Sequence, residues 1–133
     1  MRRALQERVR QRAGNRCEYC HLPSVHDPLP FHIEHVIARK HRGRTVLSNL
    51  ALACMGCNLS KSSNLAGIDP DTELLTPLFN PRLDQWSEHF AINGAFIVGK
   101  SAIGRATVDV LRLNAPERVK HRRLLLRLGV RFK

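Results

Sequence analysis

Acidic residues are scarce in this sequence: 11 Asp and Glu stand against 22 Lys and Arg, giving a formal charge of +11. That shortage points to a polyanionic partner, with nucleic acid the first candidate. Aromatic residues are scarce as well, 5% of the chain with a single Trp and a single Tyr. A domain of 133 residues with so few aromatic side chains benefits from an added staple. No apolar run approaches the ~20 residues of a membrane-spanning helix, and the opening "MRRALQERVR" has neither the apolar segment nor the cleavage site of a secretory leader. One reduced, cytoplasmic domain with no membrane attachment is therefore expected. Internal repeats and low-complexity tracts are absent.

The basic residues that are present cluster. Arg2, Arg3, Arg8, Arg10, Arg12 and Arg16 open the chain, "ARKHRGR" lies in the middle, and "ERVKHRRLLLRLGVRFK" closes it. Any one run can be a solvated helix face. Three on one small domain could follow a phosphate backbone.

Hydrophobic spacing places a first helix over "RRALQERVRQRAGN", with Leu5, Val9 and Ala13 on one side and a stop at Gly14 and Asn15. "FHIEHVIA" reads as a strand and "LALAC" as a second, separated by a basic loop; "CMGCNLSKSSNLAG" reads as a turn and a short helix ending near Gly67. Beyond it lie a turn-rich stretch, a hairpin around Asn93 and Gly94, an amphipathic segment through Ile103, Ala106, Val110 and Leu113, and a last helix from about Asn114 with Pro116 in its first turn. The organisation expected is α+β: a basic helix over 1–16, a core over 17–66 and an extension over 67–133.

Two identical Cys-x-x-Cys units, Cys17 with Cys20 and Cys54 with Cys57, supply the four thiolates of a closed, structural zinc site. A redox pair is the rival, but it leaves the second unit unexplained and has no thioredoxin-like context. Zinc so placed would project residues 29–53 as a hairpin. With the thiols committed, the same segment still offers His32, Glu34, His35, His41, Asn49, Asn58 and Lys61. Carboxylate, imidazole and amide groups suit a harder divalent ion.

"FHIEHVIARKHRGRTVLSNLALACMGCNLSK", with the cysteines around it, resembles the HNH endonuclease family in its zinc-stapled form, built on the ββα-metal motif. The resemblance covers Cys17 to about Lys61; the region from Leu78 to Leu113 also looks like the extension of small stand-alone bacterial HNH proteins. It implies a phosphodiester hydrolase acting on double-stranded DNA and leaving 5′-phosphate and 3′-hydroxyl ends. Carried over position by position, the acidic ligand of the catalytic ion falls on Glu34, the general base on His35, the loop brace on Asn49 and the second ion ligand on Asn58. The ion implied is Mg2+, Mn2+ or Ni2+. Arg39, Lys40, His41, Arg42, Arg44 and Lys61 are the expected phosphate contacts. Glu34 stands where many members have Asp, and Arg42-Gly43-Arg44 replaces the common Gly-Gly of the loop.

One divalent ion can act as a Lewis acid on phosphate, and a histidine with an ordinary pKa near 6.5 can take a proton from water at neutral pH. Strict alternation sets His32 and Glu34 on one strand face and His35 on the other, so period two alone would pair His32 with Glu34. The resemblance instead separates Glu34 and His35 into ligand and base, leaving His32 a supporting or structural role. His89 receives no assignment. The alternative function is a zinc-stapled nucleic-acid-binding module that does not cut, which would need none of Glu34, His35 and Asn58.

Overall fold

The computed structural model describes residues 1–132. Helix α1 (Arg3–Ala13) buries Val9 and ends where Gly14 turns left-handed at φ 63°, as its sequence anticipates. The helix packs across strand β2 (Leu50–Ala53), and Arg12 ties it there by donating to the carbonyls of Leu47 (2.9 Å) and Leu50 (2.6 Å). All four residues of β2 are buried, which explains why "LALA" is continuously apolar rather than alternating.

Strand β1 (His32–His35) pairs antiparallel with β2 in a register that sets Glu34 opposite Ala51 and His35 opposite Leu50. Helix α2 (Met55–Lys61) follows β2 directly, with the Cys54 sulfur accepting from the Cys57 N–H at its N-terminus. This helix is shorter than expected. It stops at Lys61, and Ser62 leaves the helical region at φ 49°. Gly67 is a packing position instead: it lies in strand β3 (Ala66–Ile68), where a Cβ would sit 2.4 Å from Cγ2 of Val110.

Strand β3 pairs with β4 (Leu75–Pro77), a ribbon inside the stretch expected to be turns. One helical turn, α3 (Trp86–His89), leads into β5 (Phe90–Asn93) and β6 (Phe96–Gly99), the hairpin that Asn93 and Gly94 anticipate. Helix α4 (Ala102–Val110) starts on Ser101, whose hydroxyl accepts from the Gly104 N–H. It ends before Leu111 and Leu113, both fully buried beyond its last turn. Helix α5 (Pro116–Arg127) begins with Pro116 and Glu117.

The few aromatic side chains are concentrated where the extension meets the cysteine-bearing segment. Tyr19 meets Phe79 edge-on at 6.4 Å, Phe79 meets Phe90 at 5.2 Å, and Trp86 lies 5.0 Å from Phe90. The Trp86 indole N–H donates to the Tyr19 carbonyl at 2.9 Å. Scarcity is offset by placement, because edge-to-face pairs of this spacing are favourable beyond their burial.

The C-terminal basic run divides in a way its sequence does not reveal. Arg122 is buried and donates to the carbonyls of Ala95 (2.7 Å) and Leu113 (2.8 Å). Arg118 reaches the carbonyl of Leu111 (2.8 Å) and the cysteine cluster. Both are withdrawn from any phosphate track, because a guanidinium fork satisfies several buried acceptors at once. Lys120, Arg123 and Arg127 stay exposed. No helix among the described residues is long and apolar enough to cross a membrane.

Candidate active site and zinc centre

The sulfurs of Cys17, Cys20, Cys54 and Cys57 lie within 4.8 Å of one another, and all four residues are buried. Backbone N–H groups of Cys20 and Cys57 point at the sulfurs of Cys17 (3.5 Å) and Cys54 (3.4 Å). Such turns hold two thiolates toward one ion. Burial pushes the Cys17 and Cys57 thiols well up, whereas hydrogen bonds from the neighbouring cysteines hold Cys20 well down. The donor set and its enclosure fit a tetrahedral zinc ion of structural type. Arg118 Nη2 lies 3.0 Å from the Cys57 sulfur and 3.8 Å from that of Cys54. Its charge opposes the excess negative charge of four thiolates.

On the other side of β1 and β2, His35 projects from the strand end, half-buried, with Nε2 2.8 Å from the Thr45 hydroxyl. Partial burial and the nearby charges of Arg39 and Lys61 hold its pKa below the ordinary histidine value. Asn49 spans the base of the loop. Its Oδ1 accepts from the Ile37 N–H (2.9 Å), and its Nδ2 donates to the carbonyls of Ile37 (3.0 Å) and Arg44 (2.9 Å). Gly43 is required beside it, since a Cβ there would lie 1.6 Å from the Ile37 carbonyl oxygen. Arg39, Lys40, His41, Arg42 and Arg44 are all exposed on this loop.

Glu34 lies inward. Lys61 Nζ donates to Oε2 at 3.1 Å, the Tyr19 hydroxyl donates to Oε1, and Glu34 is 6% exposed. Burial pushes the carboxyl pKa up, with the Lys61 charge and the Tyr19 hydroxyl opposing it. Lys61 is 2% exposed and also donates to the carbonyl of Val36 at 2.9 Å. Its expected role at a phosphate is thereby corrected, because its donors are taken by groups inside the protein. Asn58 sits one turn before Lys61 on α2, half-buried, and its amide makes no hydrogen bond to another described residue. The Nε2 atom of His32 is buried without a partner.

A carboxylate and an amide oxygen are the hard donors that a magnesium-like ion takes. Asn58 is disengaged, and each Glu34 oxygen keeps a second lone pair, so the donors fit such an ion. Glu34 fits in competition with Lys61, whose ammonium already balances its charge. Thr45 and Tyr19 are the site residues that sequence reasoning missed. Tyr19 had a signal, being the chain's only tyrosine and lying inside the first Cys-x-x-Cys; Thr45 had none.

Hairpin, helix and thiolate cluster together define a zinc-stapled ββα-metal domain. Residues 17–64 match the model of the HNH endonuclease family, and this segment is an HNH domain, a nuclease-type module. Over 116 residues the chain is 29% identical to the Septu protein PtuB of Bacillus thuringiensis, an alignment covering 86% of this chain and 42% of that protein. The chain thus spans less than half the length of the curated relative it matches. No solved structure matches it.

Proposed function

We propose that the chain is a metal-dependent endonuclease that hydrolyses phosphodiester bonds of double-stranded DNA, with His35 as general base. The observation that carries this reading is the setting of His35: a half-buried imidazole with lowered pKa, anchored at Nε2 by Thr45 and bordered by a loop of exposed basic residues. In the tautomer whose Nε2–H donates to Thr45, Nδ1 is the basic nitrogen. It takes a proton from water as the water oxygen bonds to phosphorus; the bond to the 3′ oxygen breaks and that oxygen takes a proton from solvent water, giving 5′-phosphate and 3′-hydroxyl ends. Being neutral at neutral pH, His35 is ready to accept that proton.

Asn58 and Glu34 would hold a divalent ion such as Mg2+, Mn2+ or Ni2+, which supplies Lewis-acid stabilisation to the phosphate and the departing oxygen. Asn49 keeps the loop closed under His35, a contribution of preorganisation rather than chemistry. The exposed Arg39, Lys40, His41, Arg42 and Arg44 suit phosphate contacts that carry affinity without a base code. Zinc on the four cysteines staples the platform.

A plasmid-nicking assay with each divalent ion, wild type beside His35→Ala, tests the reading. The wild type should convert supercoiled plasmid and the variant should fall at least about a hundredfold. Equal residual nicking in both would overturn it in favour of a binding module that does not cut.

A further inference from the structure

The proposed site uses the β1–β2 loop and leaves the arginines of α1 unassigned. Arg8 and Arg12 are four residues apart on α1, so they share one helix face, and both are exposed. Neither is in an ion pair among the described residues. Like charges at that spacing repel, and an anion lying across the pair relieves the repulsion.

The position of this face is set by Arg12. Two of its donors hold the carbonyls of Leu47 and Leu50, 35 and 38 residues away in sequence. Three of its five N–H groups remain for another acceptor. Arg8, Gln11, Arg12 and Leu47 together line one surface depression. Leu47 is two residues from Thr45, the residue that holds His35 Nε2 at 2.8 Å, and two residues reach at most ~7 Å. Arg8 stands ~6 Å further along the helix axis. The α1 face therefore begins beside the catalytic loop, and Arg8 extends it by about two base steps at ~3.4 Å each.

We infer that Arg8 and Arg12 form a phosphate-binding extension of the nuclease surface, contacting the backbone of duplex DNA a few nucleotides from the scissile bond. The inference rests on the nuclease reading above. The exposed basic row of α5 belongs to a different surface depression. Lys120, Arg123 and Arg127 line a separate depression with Glu117, His121 and Leu124, to which neither α1 nor the catalytic loop contributes.

The test is binding of a fluorescent DNA duplex by His35→Ala protein across a salt series, alone and combined with Arg8→Ala, Arg8→Lys or Lys120→Ala. Arg8 is chosen over Arg12 because Arg12 also anchors the loop. Zinc content and circular dichroism should match in all four proteins, since Arg8 and Lys120 are exposed. Loss of one phosphate contact lowers the slope of log affinity against log salt by about 0.9; Arg8→Ala should show that drop, and Arg8→Lys and Lys120→Ala should not. An unchanged slope in Arg8→Ala, or an equal drop in Lys120→Ala, overturns the extension alone. Absence of duplex binding by the His35→Ala protein at low salt overturns the nuclease reading and the extension with it.

Discussion

The ammonium of Lys61 lies 3.1 Å from Oε2 of Glu34, and both side chains are almost wholly excluded from solvent, at 3% and 5% exposure. This pair joins the last residue of α2 to the end of β1, the two elements that carry Asn58 and His35. Breaking a buried pair by removing one partner costs more than removing both, because a lone buried charge is left behind.

Lys61→Met should therefore destabilise the protein by about 3–5 kcal/mol, measured by urea unfolding of the zinc-loaded chain. The double variant Glu34→Gln with Lys61→Met should recover part of that loss. If Glu34 is an ion ligand, added Mg2+ should stabilise Lys61→Met more than wild type, since the ion replaces the missing ammonium. The same stabilisation by Mg2+ in both proteins would remove Glu34 from the ligand set.

Asn49→Ala strips three hydrogen bonds from the base of the β1–β2 loop. Single-turnover cleavage should fall on the order of a hundredfold, the scale of a small misplacement of a reacting group. Zinc content should be unchanged. Thr45→Val, which frees His35 Nε2, should reduce the rate without abolishing it.

Purified protein should contain about one zinc ion per chain, and stripping it with a chelator should unfold the core. Arg118→Met removes the donor 3.0 Å from the Cys57 sulfur. Zinc transfer to a colorimetric chelator should then tighten in the chelator's favour by about ten- to a hundredfold, with Arg118→Lys intermediate. Unaltered zinc retention in Arg118→Met would reduce this residue to packing.

Asp69 is fully buried and holds Arg105 through both carboxylate oxygens, at 2.9 and 2.8 Å. The Arg105 hydrogen bonds keep its carboxyl far below the usual range. The native state thus binds fewer protons here than the unfolded chain, so the stabilisation is fully present above about pH 4, near the unfolded carboxyl's pKa. It is lost as pH falls through the depressed native value. Asp69→Asn should be less stable at neutral pH, and the difference from wild type should shrink on acidification, read from urea midpoints across pH.

Much of the core was legible because its signals are local. Cysteine spacing located the thiolate cluster, and an apolar "LALA" next to "CMGC" located strand and helix. The end of α2 was not legible. Gly67 reads as a helix stop, but it is a contact point for Val110, 43 positions away. Charge was equally ambiguous: Lys61 and Arg122 have the composition of a nucleic-acid surface and the burial of a core, and the half-buried Arg118 turns its guanidinium to the Cys57 sulfur.

Sequence alone determined what short-range chemistry can specify: a surplus of basic side chains, two cysteine pairs of identical spacing, and an acid-histidine pair at a strand end. Tertiary structure decided how each charge is used. Glu34 and His35 are adjacent in the chain, yet the pleat sends one inward to Lys61 and Tyr19 and leaves the other facing Thr45 at the loop. Partners for buried charges come from distant segments, since a buried group must be satisfied by whatever the fold brings against it, and no local pattern encodes that choice.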